Sequence, residues 1–132
     1  MAERPIPAPD IYPEIEPYFA AAAEGRLLLK ACVDCDKPFH YPRAHCPFCL
    51  GANTEWRAAS GRGEIYAFTV LRRAPVPYAV ASVALAEGPH MLTNIVDCDF
   101  EALRSGLPVR VVFTPTEGGP PVPMFTPDFD PA

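Results

Sequence analysis

Cys32-Val33-Asp34-Cys35 and, ten residues on, Cys46-Pro47-Phe48-Cys49 are the stretch that decides how this chain folds. Two thiolates three residues apart across a tight turn grip one metal ion. A second such knuckle, brought back by a short hairpin, completes a tetrahedral shell of four sulfurs. This is the pattern of a zinc ribbon. A closed four-thiolate shell leaves no position open for water, so a metal held by Cys32, Cys35, Cys46 and Cys49 is expected to build structure and do no chemistry. Two other readings compete. A disulfide framework needs an oxidising compartment, and two copies of the motif at close range favour a metal over a redox pair. Zinc is preferred to iron because both spacings are knuckle-like, with iron as the minor alternative.

Outside the knuckles, the opening Met1-Ala2-Glu3-Arg4-Pro5 has neither a basic n-region nor an apolar h-region. No uninterrupted apolar run approaches the length of a membrane span. A cytoplasmic chain without membrane contact is expected. At 132 residues it is one domain's worth of chain, or a small metal module plus one compact domain. Nearly half the residues are apolar, enough for a real core, and 18 prolines favour short strands and many turns over long helices.

The net charge of −5 is unfavourable for non-specific binding to DNA or RNA. Its placement is uneven. Residues 26–73 carry eight of the eleven Lys and Arg against four acids, whereas residues 1–25 carry five acids and one arginine, and residues 74–132 seven acids and two arginines. A mildly positive centre between acidic ends suits a phosphate or an acidic partner surface, or is simply a solvated face.

Along the chain, prolines 5, 7, 9 and 13 mark an extended arm without a core of its own. A short helix over residues 16–24 follows, with Pro17 in its first turn, alanines in its body and Gly25 after its end. Tyr18 and Phe19 are its anchors, expected to pack on their own domain. Residues 27–31 form a strand into the first knuckle and residues 37–43 the return, while His40 and His45 are bystanders beside a complete ligand set. Trp56 is expected where the ribbon meets the next unit.

From Arg62 onward the chain reads as strands. Residues 64–71 place Tyr66, Phe68 and Val70 on one face and Ile65, Ala67 and Leu71 on the other. Residues 78–86, apolar on both faces and rich in alanine, read as a strand covered on both sides. Residues 91–96 make a third strand. Asp97-Cys98-Asp99 then caps a short helix over residues 100–104, and strands at 109–114 and 122–126 close the set. Three meander strands, a helix and two closing strands have the element order of an OB-fold barrel, although an SH3-like barrel or a small open sheet shares it. The fold class is therefore mainly β: an N-terminal helix and a zinc ribbon followed by a five-stranded OB-fold barrel with one short helix. The expected division is arm and helix 1–25, ribbon 26–58, barrel 59–127 and tail 128–132.

Several segments together carry a family resemblance. Gly25-Arg26-Leu27 runs into the first knuckle, and Tyr41-Pro42-Arg43 leads to Cys46-Pro47-x-Cys49. Gly61-x-Gly63-Glu64-Ile65 opens the barrel. Pro77-Tyr78 precedes Val83-x-Leu85-x-Glu87-Gly88, and Leu103-x-x-Gly106-x-Pro108-Val109 precedes the fourth barrel strand. In this order and spacing the chain resembles the acyl-CoA-associated family first catalogued as domain of unknown function thirty-five, a rubredoxin-like zinc ribbon joined to an OB-fold. The resemblance implies a non-catalytic accessory subunit in a hetero-oligomer of lipid metabolism. Its partner would be a thiolase-like enzyme subunit that makes or breaks carbon–carbon bonds in acyl-CoA. The partner would carry the nucleophile, while CoA or acyl-CoA would be a ligand shared between the two. Relatives in acyl-CoA dehydratase and aldolase complexes provide the alternative.

The residues themselves show no persuasive catalytic constellation. Cys98 reads as a small buried hydrophobe beside a helix cap, and His90 has no assignable partner. Asp97, Asp99 and Glu101 suit a helix N-terminus. The best contact segment is Arg72-Arg73-Ala74-Pro75-Val76-Pro77-Tyr78: guanidinium groups fork onto phosphates, and prolines stiffen the loop. Arg72, Arg73 and Tyr78 are thus the candidate CoA contacts, set against two merely solvated arginines. A nucleic-acid module is the rival class, since ribbons and OB-folds both serve there. The pI near 5.1 and the lack of a basic stripe interleaved with aromatics count against it.

Overall fold

A 3-10 turn at Pro13–Ile15 leads into helix α1 (Glu16–Ala23). Pro17 occupies the first turn, where its missing N–H is not needed, and alanines propagate the helix. Gly25, at φ 79°, stops it. Its N–H donates to the Ala22 carbonyl and that of Arg26 to Ala21, the paired closure that a left-handed residue allows. Tyr18 and Phe19 are buried within the chain's own core. The computed structural model that shows this describes residues 4–128.

The ribbon sheet consists of β1 (Leu28–Cys32), β2 (Lys37–Phe39) and β3 (Thr54–Ala58), in the order β2-β1-β3 and antiparallel throughout. β2 stops at Phe39, short of the expected 43. His40 turns its ring to the Tyr18 hydroxyl at 3.1 Å, and Pro42 has no N–H for a ladder. β3 is a strand that the sequence reading did not anticipate. Its residues, Thr-Glu-Trp-Arg-Ala, are mostly polar because it is an edge strand, and Trp56 packs against the core from it.

The second unit is a closed barrel of β4 (Arg62–Leu71), β5 (Tyr78–Leu85), β6 (His90–Ile95), β7 (Pro108–Thr114) and β8 (Val122–Pro127), in the order β4-β5-β6-β8-β7. Closure excludes the open sheet. The seam between β6 and β8 is short, with one parallel bridge at Ile95 and Phe125 and a 2.8 Å bond from the Val96 N–H to the Phe125 carbonyl.

Three local expectations are corrected here. β4 carries a bulge: Ile65 faces Val83 and Ala67 faces Ser82, which leaves Tyr66 unpaired. The extra residue inverts the alternation, so Ile65 shares a face with Phe68 and Val70, opposite Ala81 and Ala79, with Ile65 buried and Phe68 exposed, while Tyr66 lies 63% exposed on the other side. Small alanines on β5 thereby face large residues on β4. Its outer face, expected to be covered, is only half-buried. The helix expected over residues 100–104 is a single 3-10 turn, Phe100–Ala102. The Asp99 carboxylate caps it by accepting from the Glu101 N–H at 3.0 Å, and Leu103 returns to extended backbone as a buried core residue.

One apolar cluster runs through both units. Ile15, Tyr18 and Phe19 join Leu27 and Leu29 of the ribbon to Ile65, Val83, Val109 and Phe125 of the barrel. The N-terminal arm also has a place. The Glu117 N–H donates to the Ile6 carbonyl at 2.9 Å, and Pro7 bridges Glu117 in parallel. Residues 1–3 of the arm and 129–132 of the expected tail lie outside the described residues. No helix among the described residues is long and apolar enough to cross a membrane.

Candidate functional site

The two knuckles are built alike. In the first, the Cys35 N–H donates to the Cys32 Sγ at 3.3 Å; in the second, the Cys49 N–H donates to the Cys46 Sγ at 3.4 Å and the Phe48 N–H to the same sulfur at 3.3 Å. Each knuckle is followed by a left-handed residue, Asp36 at φ 53° and Leu50 at φ 66°, which turns the chain away from the sulfurs. β1 supplies Cys32 from its last position, paired with Thr54 of β3, so the sheet fixes one side of the cluster.

All four sulfurs lie within 4.8 Å of one another, and Cys32 Sγ and Cys49 Sγ are 3.7 Å apart. Zn–S bonds of about 2.3 Å at tetrahedral angles require sulfurs about 3.8 Å apart, so the donor set fits a zinc ion. The electrostatics agree. A hydrogen bond with Cys49, then burial, pushes the Cys35 thiol up to about 12. Burial also pushes Cys46 up, but the amides of Cys49 and Phe48 aimed at its sulfur outweigh this and bring it down to about 7. Four thiols this close do not ionise together without a cation between them. His40 is not part of the cluster of ligand atoms, and its ring packs against those of Tyr18 and Tyr41. Burial, then the Arg43 charge, lowers it to about 4, so it is neutral.

Of the candidate CoA contacts, Arg72 pairs with Glu101 at 2.9 Å, with its guanidinium 5.9 Å from the centre of the Phe100 ring. Arg73 is exposed in the same loop. Tyr78, at the start of β5, takes the Arg4 guanidinium over its ring at 4.0 Å. Arg72 and Tyr78 thus have different partners, although Phe100, beneath Arg72, and Tyr78 line the same cleft.

Tyr78 lines a cleft of about 600 Å³ at the mouth of the barrel. The cleft is walled by the end of β6, the end of β7, the start of β8 and the 3-10 turn at Phe100, with Arg4 and Ile6 of the arm on its outer side. Cys98 also faces it. Burial, then Asp97 and Asp99, raises that thiol, and its hydrogen bond goes to the Ile95 carbonyl at 3.8 Å, so it is a protonated wall residue. His90 is occupied elsewhere, tilted against Tyr66 with ring centres 4.7 Å apart.

The arm's part in this cleft was not foreseen from sequence. The signal was present in the spacing: with prolines at 5, 7 and 9, an extended arm presents Arg4, Ile6 and Ala8 together on the opposite face.

Comparison with known proteins adds two family models. One, described as the ChsH2 rubredoxin-like zinc ribbon domain, matches residues 19–55, and the other, the ChsH2 C-terminal OB-fold domain, matches residues 56–114. A probable enoyl-CoA hydratase alpha subunit of Thermomonospora curvata is 30% identical over 126 residues. That match covers 92% of this chain but only 40% of the longer relative. A DUF35 domain-containing scaffold protein of Methanothermobacter thermautotrophicus is 34% identical over 89 residues, covering 62% of this chain and 67% of that one. Among solved structures, a chain of an Ltp2-ChsH2(DUF35) aldolase matches with a TM-score of 0.80 at 30% identity, covering 90% of this chain and 98% of that one.

Proposed function

The chain belongs to the DUF35 family of joined zinc-ribbon and OB-fold proteins, of which ChsH2 is a member, and from that premise we propose that it is a non-catalytic accessory subunit of a thiolase-superfamily enzyme complex acting on acyl-CoA. One observation carries the reading. Nearly the whole of a chain from a structure titled an Ltp2-ChsH2(DUF35) aldolase superposes on nearly the whole of this one. Scaffold protein, hydratase subunit and aldolase are what the relatives are called, and they favour a second form of the same reading in which the partner is an aldolase or a hydratase.

In this reading Cys32, Cys35, Cys46 and Cys49 hold a structural zinc, whose closed shell of four sulfurs fixes the ribbon and offers no site for substrate. The barrel mouth contributes to the region that receives CoA, with Arg72 and Arg73 on the phosphates and Tyr78 beside the pantetheine arm. The Arg72 pair with Glu101 is exposed and weak, so the guanidinium is cheaply redirected to a phosphate.

The test is copurification from the native source with identification of the bound protein, followed by kinetics of the reconstituted complex. Arg72→Ala/Arg73→Ala should raise KM for acyl-CoA about tenfold with assembly intact. Unchanged KM would remove these arginines from the site, and recovery of the chain without any enzyme would remove the accessory role.

A further inference from the structure

The cleft at the barrel mouth has a lining unlike that of a nucleotide site. Ile6, Val76, Ile95, Phe100, Phe113 and Met124 are among the apolar residues that make up the larger part of its wall, and Arg4 and Asp97 are the charged residues on it. Arg4 is already engaged: its guanidinium covers the Tyr78 ring and donates to the Asn94 carboxamide oxygen. A diphosphate placed here would meet one committed cation and a carboxylate, whereas an apolar chain would meet aliphatic and aromatic carbon over the larger part of the wall. The cleft's position, between residues 72–77 and 115–121 at one end of the barrel, is where OB-folds offer their loops to ligands. Its volume of about 600 Å³ lies within the range of small-molecule sites.

The outer wall is the chain's own arm. Among the described residues it is held by Arg4 on Tyr78, Arg4 on Asn94, Ile6 and Pro7 on Glu117, and Ala8 seated on Gly119. The last contact is close. A Cβ at Gly119 would stand 2.6 Å from the Ala8 Cβ, so only glycine lets the arm lie there. An extended segment tied at so few points opens locally at little cost, while its prolines keep it stiff.

We propose that this cleft binds the apolar acyl chain of the thioester, leaving the nucleotide outside, and that the N-terminal arm is the movable wall that closes on the chain through Ile6. The inference rests on the acyl-CoA reading above and adds to it the part of the ligand recognised and the element that encloses it. The acyl chain could arrive as a thioester or as a free acid, and the two are separable.

The experiment is calorimetric titration of the full chain, without partner, using decanoyl-CoA, CoA and decanoate, alongside amide exchange at Glu117. Decanoyl-CoA should bind at least about tenfold more tightly than CoA, a difference that burying a few methylenes suffices to produce. Glu117 exchange should slow on binding, because its N–H is the arm's tether. Gly119→Val, which pushes the arm off from a position outside the cleft lining, and Ile6→Ala, which keeps the arm but shortens its contact, should each weaken decanoyl-CoA binding several-fold and leave CoA unchanged. Decanoate bound as tightly as decanoyl-CoA would support the cleft and assign its chain to a free acid. Equal affinities for decanoyl-CoA and CoA would overturn the proposal, as would variants that bind decanoyl-CoA like the wild type. Because no partner is present, such a failure leaves the accessory role standing, and that role fails separately in copurification.

Discussion

The ribbon tip and the barrel solve the same problem with opposite means. Around the four cysteines, Val33, Phe48 and Leu50 are exposed, Leu50 by 76%, so there is little apolar burial to hold the two knuckles together. The sulfurs and a metal between them must do it. In the barrel, Phe125, Ile65, Val83 and Val109 are fully buried, and the strands close on one another around them. The ribbon concentrates its stability in four side chains at one point, whereas the barrel spreads it over every inward position. Yet the two are not independent, because Leu27 and Leu29 of the ribbon sit in the same apolar cluster as the barrel core. The contrast therefore predicts where each region breaks and how far the damage travels.

The largest effect should follow from Cys46→Ser. Metal binding contributes on the order of 10 kcal/mol to the folding of small zinc modules, more than any one barrel side chain supplies. Elemental analysis should show about one zinc per wild-type chain and none in the variant. Melting of the whole chain should drop, because the cores are joined. A variant that folds and melts like the wild type without metal would break the contrast at its root. Phe125→Ala should cost about 3–5 kcal/mol through the cavity left behind, measured by chemical denaturation, with zinc content unchanged. Loss of zinc in that variant would mean that the ribbon depends on the barrel for its site.

The smallest effect concerns the junction of helix and ribbon. His40 is lowered to about 4 by burial, then by Arg43, against an ordinary 6.5. The unfolded chain therefore takes the proton first. The stability that neutral His40 contributes is intact above pH 6.5 and is lost as pH falls from there to about 4, by about 3 kcal/mol at most. His40→Gln should flatten that part of the pH–stability curve relative to the wild type, which separates it from acid release of the metal. Parallel curves would show that His40 is not buried in the way its contacts with Tyr18 and Tyr41 indicate.

How much of this was legible in the sequence follows the same contrast. The ribbon's identity sits in four residue types at fixed spacing, so Cys32, Cys35, Cys46 and Cys49 are readable at once. The helix was also plain, because proline, alanines and Gly25 mark it locally. The barrel's strands were readable as a pattern, but their register was not. A bulge at Tyr66 depends on what Ser82 and Val83 pair with across the sheet, and alternation along one strand carries no trace of it. β3 escaped because an edge strand needs no apolar alternation. The arm escaped because its binding surface is assembled from Tyr78, Asn94, Glu117 and Gly119, four positions that only the folded barrel brings together.

The claim that this chain lends structure and surface to a partner, and no chemistry of its own, is tested most directly by acyl-CoA turnover in three preparations: the pure chain, the copurifying enzyme alone, and the reconstituted complex. The pure chain should be inactive, the enzyme alone unstable or impaired, and the complex active. Turnover by the pure chain that Cys98→Ala abolishes, or full activity of the enzyme alone, would contradict it.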